Sequence, residues 1–168
     1  MSEALDTALR MARRGWEVLP CHSPESSGCS CHQTDCSSPG KHPQTRRGLN
    51  DATTDPSAIR SWWHHSPHAN LGIRTGAVSG LVVVDIDPGH GGLDSMRALV
   101  HEAPIAKGLR VRTGSGGWHL YFAHPGGIVR NSAGTALGPG VDVRGDGGYV
   151  IAPPSRHISG GTYRWAGS

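Results

Sequence analysis

The stretch Leu81-Val82-Val83-Val84-Asp85-Ile86-Asp87-Pro88-Gly89 constrains this chain more than any other. A leucine followed by three valines reads as a buried β-strand, because β-branched side chains suit a packed, pleated surface. Two carboxylates then arrive at its end. Side chains two apart in a strand point to one face, so Asp85 and Asp87 are expected side by side while Ile86 turns into the core. Adjacent carboxylates repel, and keeping both ionised calls for a positive partner. A pair of divalent cations is the usual partner where phosphates are the substrate. The alternative is local: Asp, Pro and Gly all favour turns, and Asp-x-Asp-Pro-Gly is a good turn sequence. Taken alone, the stretch leaves both readings open.

The 168 residues are enough for a core without disulfide support, and one domain is expected over 1–168. A formal net charge of +3 is compatible with a polyanionic partner without requiring one. The 25 glycines and 12 prolines follow no repeat, which suits many short strands and tight turns rather than disorder. No apolar run approaches the roughly 20 residues that span a membrane. The N-terminus, Met1-Ser2-Glu3-Ala4-Leu5-Asp6, has no basic and apolar leader pattern. A cytoplasmic location and no membrane partner are therefore expected. The end at Gly167-Ser168 lacks an obvious closing element, as in a domain cut from a longer protein.

Residues 21–45 break the pattern of regular elements. They contain Cys21-His22, Cys29-Ser30-Cys31-His32, Cys36 and His42. Clustered cysteines without an export signal point to metal binding rather than disulfides. Zinc takes four N or S ligands in a closed tetrahedral site and orders a loop that has no core of its own. The preferred set is Cys29, Cys31, Cys36 and His42, with Cys21, His22 and His32 as substitutes. No general base or open position is evident, so the expected role is structural. The alternative is a flexible loop with idle thiols.

Elsewhere, apolar spacing predicts helices over 3–14, 55–65 and about 92–101, the second capped by Asp55 with Pro56 at its first position. Short strands are expected at Trp16–Pro20, in Asn70-Leu71-Gly72-Ile73-Arg74-Thr75-Gly76, at Arg110–Thr113, and near Thr162–Trp165. Alternation in Trp118-His119-Leu120-Tyr121-Phe122 predicts Trp118, Leu120 and Phe122 inward, with His119 and Tyr121 on the opposite face. The preceding Gly114-Ser115-Gly116-Gly117 is a tight turn whose amides could cradle a phosphate; a plain hairpin is the other reading. In Val141-Asp142-Val143-Arg144, Asp142 and Arg144 share the face away from the valines, and Tyr149–Ala152 is the return strand. Three strands thus each present polar residues at alternate positions. An antiparallel sheet with one helix-covered and one open face would gather Asp85, Asp87, His119, Asp142 and Arg144 in one place.

The succession Val84-Asp85-Ile86-Asp87, Ser115-Gly116-Gly117-Trp118-His119-Leu120-Tyr121-Phe122 and Val141-Asp142-Val143-Arg144-Gly145-Asp146-Gly147-Gly148-Tyr149 resembles the bifunctional DNA primase/polymerase N-terminal (primase-polymerase) domain of the archaeo-eukaryotic primase superfamily. Pro39-Gly40-Lys41-His42-Pro43 and Asn70–Gly76 extend the resemblance over nearly the whole chain. It implies an α+β fold: an RRM-like antiparallel or mixed sheet with helices on one face, joined to a smaller N-terminal α/β module that here carries the Cys-rich loop.

The resemblance also implies roles. Asp85, Asp87 and Asp142 match the acids that hold two Mg²⁺ or Mn²⁺ ions. His119 matches the histidine on the phosphates of the incoming nucleotide, helped by Ser115 and Gly116. Arg144 and Lys41 are further phosphate or template contacts. The implied reaction is template-dependent nucleotidyl transfer by a two-metal mechanism, in replication of a plasmid, phage or integrated element. The implied partners are single-stranded DNA template, primer and nucleoside triphosphates, with a helicase domain in the same full-length protein. The Cys-rich loop departs from many relatives, so zinc rests on local chemistry alone. Two rival functions use the same residues: a catalytically inactive nucleic-acid-binding module, and a metal-dependent phosphoesterase.

Overall fold

The computed structural model describes residues 2–102, 108–134 and 136–167. Helix α1 (Glu3–Arg13) starts where the Ser2 hydroxyl accepts the Leu5 N–H, and it buries Ala8, Leu9, Met11 and Ala12. Strand β1 (Val18–Cys21) is buried throughout. A small hairpin, β2 (Pro24–Glu25) and β3 (Gly28–Cys29), follows inside the Cys-rich loop. Helix α2 (Pro56–His65) is capped by the Asp55 carboxylate, which accepts the Ser57 and Ala58 N–H groups. It buries Ile59 and Trp63, whereas Trp62 is only half-buried.

Strand β4 (Asn70–Arg74) pairs antiparallel with β1 on one side and with β9 (Tyr149–Ala152) on the other, giving a sheet of order β1-β4-β9. A side chain at Gly72 would collide with Cys21 Sγ and the Leu19 side chain at 2.9 Å, so this layer closes only around glycine. The remaining strands are β5 (Leu81–Ile86), β6 (Arg110–Arg112), β7 (Trp118–Ala123), β8 (Val141–Arg144) and β10 (Arg164–Ala166). They form a second sheet of order β10-β6-β7-β5-β8, again antiparallel in every pairing. The fold is therefore α+β, with antiparallel rather than mixed sheets among the described residues. No helix among them is long and apolar enough to cross a membrane.

Register decides what shares a face. Asp85 lies opposite both His119 and Asp142, while Val83 lies opposite Tyr121 and Arg144. All six therefore project from one face of the larger sheet. That face is not open. Val83, Val111, Tyr121 and Tyr163 merge with Val150, Ile151, Leu9 and Met11 into one apolar cluster shared with the smaller sheet and α1.

This corrects the inward face expected for β7. His119 and Tyr121 are 4% and 6% exposed, whereas Phe122 is 36% exposed. Alternation separates the two faces correctly, but the second sheet, not α3, supplies most of the burial. The helices divide accordingly: α1 and α2 pack on the smaller sheet, and α3 (Gly92–Glu102) lies beside β5 and β8 of the larger one. The hairpin of β8 and β9 joins the two sheets rather than extending one of them.

Candidate active site

Where the shared apolar face ends, the two sheets part and leave a cleft of about 400 Å³. That lies within the roughly 300–1,000 Å³ usual for small-molecule sites. Asp85, His119, Arg144 and Lys41 line it, with Ser38, Asn131, Tyr149 and Tyr163. The strands position the charged groups. Asp85 stands at the middle of three neighbouring strands, so its cross-strand neighbours are His119 on β7 and Asp142 on β8.

His119 Nε2 approaches Asp85 Oδ1 at 3.4 Å. Arg144 Nη2 donates to Asp142 Oδ2 at 2.8 Å and reaches Asp85 Oδ2 at 4.0 Å. The Gly134 N–H donates to Asp142 Oδ1 at 2.8 Å. A guanidinium thus lies between two carboxylates that face each other across adjacent strands. Burial by itself would raise the Asp85 pKa, but the His119 contact and the charges of His119, Arg144 and Lys41 outweigh it and hold the carboxyl below its ordinary value. The other ring nitrogen, His119 Nδ1, is buried without a hydrogen-bond partner among the described residues, as is the Tyr121 hydroxyl.

Asp87 is placed differently. Strand β5 ends at Ile86, and Asp87 caps the short 3-10 turn Pro88–His90. Its Oδ1 accepts the Gly89 N–H at 2.9 Å, and its Oδ2 lies 2.8 Å from His90 Nδ1. The turn reading of Asp-x-Asp-Pro-Gly describes Asp87, which organises the turn, while Asp85 stands in the cleft.

The Ser115-Gly116 turn closes the β6–β7 hairpin. The Ser115 hydroxyl lies 3.1 Å from Thr113 Oγ1, which accepts the Gly117 N–H at 2.8 Å. A Cβ on Gly117 would strike Ile86 O, so the turn abuts the end of β5 and does not line the cleft. Sequence spacing missed Tyr163, Asn131 and Ser38, which line the cleft. None of these residues carries a local pattern that would single it out.

The Cys-rich loop forms a second constellation. The ligand atoms of Cys29, Cys31, Cys36 and His42 all lie within 4.8 Å of one another, the one such group found among the described residues. His42 Nε2 is 3.5 Å from Cys29 Sγ and 3.4 Å from Cys36 Sγ. Tetrahedral zinc bonds of roughly 2.3 Å to sulfur and 2.05 Å to nitrogen put those atoms about 3.5 Å apart. The donor set and its spacing therefore fit a closed metal site. Burial works against the Cys29 thiolate, yet the Cys31 and Gly40 amides and His42 bring its pKa down to about 6.

The substitutes lie outside this group of four. Cys21 is fully buried in β1, and burial pushes its pKa up. His22 Nδ1 engages the Ser30 hydroxyl at 2.9 Å, and its ring stands against that of His42. His32 takes the left-handed turn conformation at φ 57°.

Comparison with curated proteins finds no match. A family model does match: Bifunctional DNA primase/polymerase, N-terminal, aligns with residues 8–168 and so takes in both sheets, the acid cleft and the Cys-rich loop. The chain belongs to the bifunctional DNA primase/polymerase N-terminal family, whose reaction type is nucleotidyl transfer on DNA and nucleotide substrates.

Proposed function

We propose that the chain carries out template-dependent nucleotidyl transfer in the cleft between the two sheets, using single-stranded DNA, a primer and nucleoside triphosphates. The observation that carries this reading is the register of Asp85, His119 and Asp142 on three adjacent strands, with the Arg144 cation between the two carboxylates. A site that already accommodates a positive group between Asp85 and Asp142 fits a divalent cation in chemistry and charge.

Asp85 and Asp142 are the residues that would hold Mg²⁺ or Mn²⁺. Asp87, which now accepts the Gly89 N–H and lies beside His90, would be the third carboxylate to hold them. Two such ions, when bound, lower the pKa of the primer 3′-hydroxyl and neutralise charge on the triphosphate. The protein's own share is positioning and electrostatics. Arg144, released from Asp142, and Lys41 offer cationic donors to phosphate oxygens. His119 is locked by burial with Nε2 beside Asp85, which orients the ring toward the reacting groups. Tyr163, whose ring lies 5.8 Å from that of His119, and Ile151 also line the cleft. No side chain is required as a covalent nucleophile.

The replication setting, a plasmid, phage or integrated element with a helicase in the same full-length protein, belongs to this reading. In the loop, the Cys29, Cys31, Cys36 and His42 set is read as a structural zinc site.

A second reading, a binding module without catalysis, takes support from the pairing of Asp142 with Arg144 and of Asp87 with His90. Incorporation of labelled nucleotide on a primed template with Mg²⁺ or Mn²⁺ separates the two. Metal- and template-dependent extension is the expected result. Template binding without incorporation under either metal would overturn the polymerase reading, and hydrolysis without a template would indicate a phosphoesterase.

A further inference from the structure

The loop that bears the Cys-His cluster is also a wall of the cleft. Between Cys36 and His42 lie Ser37, Ser38, Pro39, Gly40 and Lys41. Ser38 and Lys41 line the same cleft as Asp85, His119 and Arg144. The Lys41 side chain is exposed and forms no ion pair among the described residues.

The segment is tied on two sides. Toward the sheets, Tyr149 Oη donates to Lys41 O and Asn70 Nδ2 donates to Gly40 O, each at 2.8 Å. Toward the cluster, the Gly40 N–H points at Cys29 Sγ at 3.4 Å, and the His22 N–H donates to His42 O at 2.8 Å. Gly40 is the crossing point. Its φ is +73°, and a Cβ there would meet Pro24 Cδ at 2.9 Å.

We propose that the Cys-His cluster is a positioning device for the cleft: a metal held by Cys29, Cys31, Cys36 and His42 fixes segment 36–42 so that Lys41 faces the triphosphate of a bound nucleotide. The proposal rests on the reading of the cleft as a nucleotide site. Its physical basis is entropic. The segment has no apolar core, and a lysine on a loop with loose ends must be ordered at every binding event, which subtracts from affinity. Clamping Cys36 and His42 sets that order beforehand.

The test measures the affinity of the full chain for a deoxynucleoside triphosphate, and for the matching nucleoside, with Mg²⁺ and without template. Lys41→Ala is expected to weaken the triphosphate about ten-fold, with nucleoside affinity, zinc content and thermal midpoint unchanged. Lys41→Arg should restore most of the loss. Stripping zinc from the wild type should weaken the triphosphate by a similar factor, reversibly on adding zinc back, and should barely weaken Lys41→Ala further.

Unchanged triphosphate affinity after stripping, or losses that multiply, would overturn the coupling while leaving the nucleotide site standing. Zinc-loaded wild type that binds no nucleotide would remove the cleft reading and the coupling with it. Gly40→Ala supplies an arm that survives if the stripped chain unfolds. It displaces the segment with all four ligands present, so zinc should remain and triphosphate affinity should fall; retained affinity would overturn the proposal.

Discussion

The acid cleft and the Cys-His cluster lie on either side of Lys41, yet they are built in opposite ways. The cleft draws on residues far apart in the chain, Lys41, Asp85, His119 and Arg144, and β-sheet register brings them together. Its carboxylates already have protein partners, the Arg144 guanidinium on Asp142 and the His119 ring beside Asp85. The cluster takes its four donors, three thiols and one imidazole, from one loop, Cys29 to His42. The difference teaches what each metal would do. In the cluster a metal would supply the loop's order. In the cleft the sheet supplies order, and a metal would exchange with the Arg144 guanidinium.

The largest effect should follow from breaking the cleft alone. Asp85→Ala or Asp142→Ala should lower primer extension at least about a hundred-fold while the thermal midpoint stays within a few degrees. Asp87→Ala should lose synthesis comparably and also a cap worth about 1 kcal/mol. Near-normal synthesis by the Asp87 variant would confine that residue to the turn.

Next comes the cluster. Chelating the untreated protein should lower its thermal midpoint by at least about 5 °C. Less than about half an equivalent of zinc by elemental analysis would deny the site.

A smaller effect sharpens the contrast. Arg144→Ala leaves Asp85 and Asp142 opposite each other without their shared cation. The metal-free protein should lose up to about 1 kcal/mol, recoverable with Mg²⁺. Equal loss with and without Mg²⁺ would mean that no ion replaces the guanidinium.

The smallest effect is in pH. The Asp85 pKa is lower in the folded chain than its ordinary 3.8, so its contribution to stability is present above that value and is lost as pH falls through the folded value. The stability difference between wild type and Asp85→Asn should be constant above pH 3.8 and shrink below it in urea titrations. A difference that does not shrink below that pH would show that Asp85 titrates as a free carboxyl.

Much of the site was legible because its signals are local. Alternation alone placed Asp85, His119, Asp142 and Arg144 at matching positions, and the structure puts them on one face. The preferred ligand set in the loop is the one that the fold brings together. Other features depended on what packs where. Alternation separates the two faces of β7 but does not say which is covered, and the second sheet covers the one holding His119 and Tyr121. It also holds only while the strand does, and β5 gives way to a 3-10 turn at Asp87. Tyr163 and Asn131 reach the cleft through contacts with residues distant in the chain.

By itself the sequence determined the strand that carries Asp85, the helix cap at Asp55, a preferred donor set for the loop, and the pattern shared with a primase-polymerase family. Torsional preference, alternation and ligand spacing act over a few residues, so they can be read in order along the chain. Only the tertiary structure decided that two sheets, not one, enclose Asp85 and His119, that Arg144 lies between Asp85 and Asp142, and that Lys41 joins the Cys-rich loop to the cleft. Those outcomes depend on burial and charge between residues distant in sequence, which no local pattern encodes.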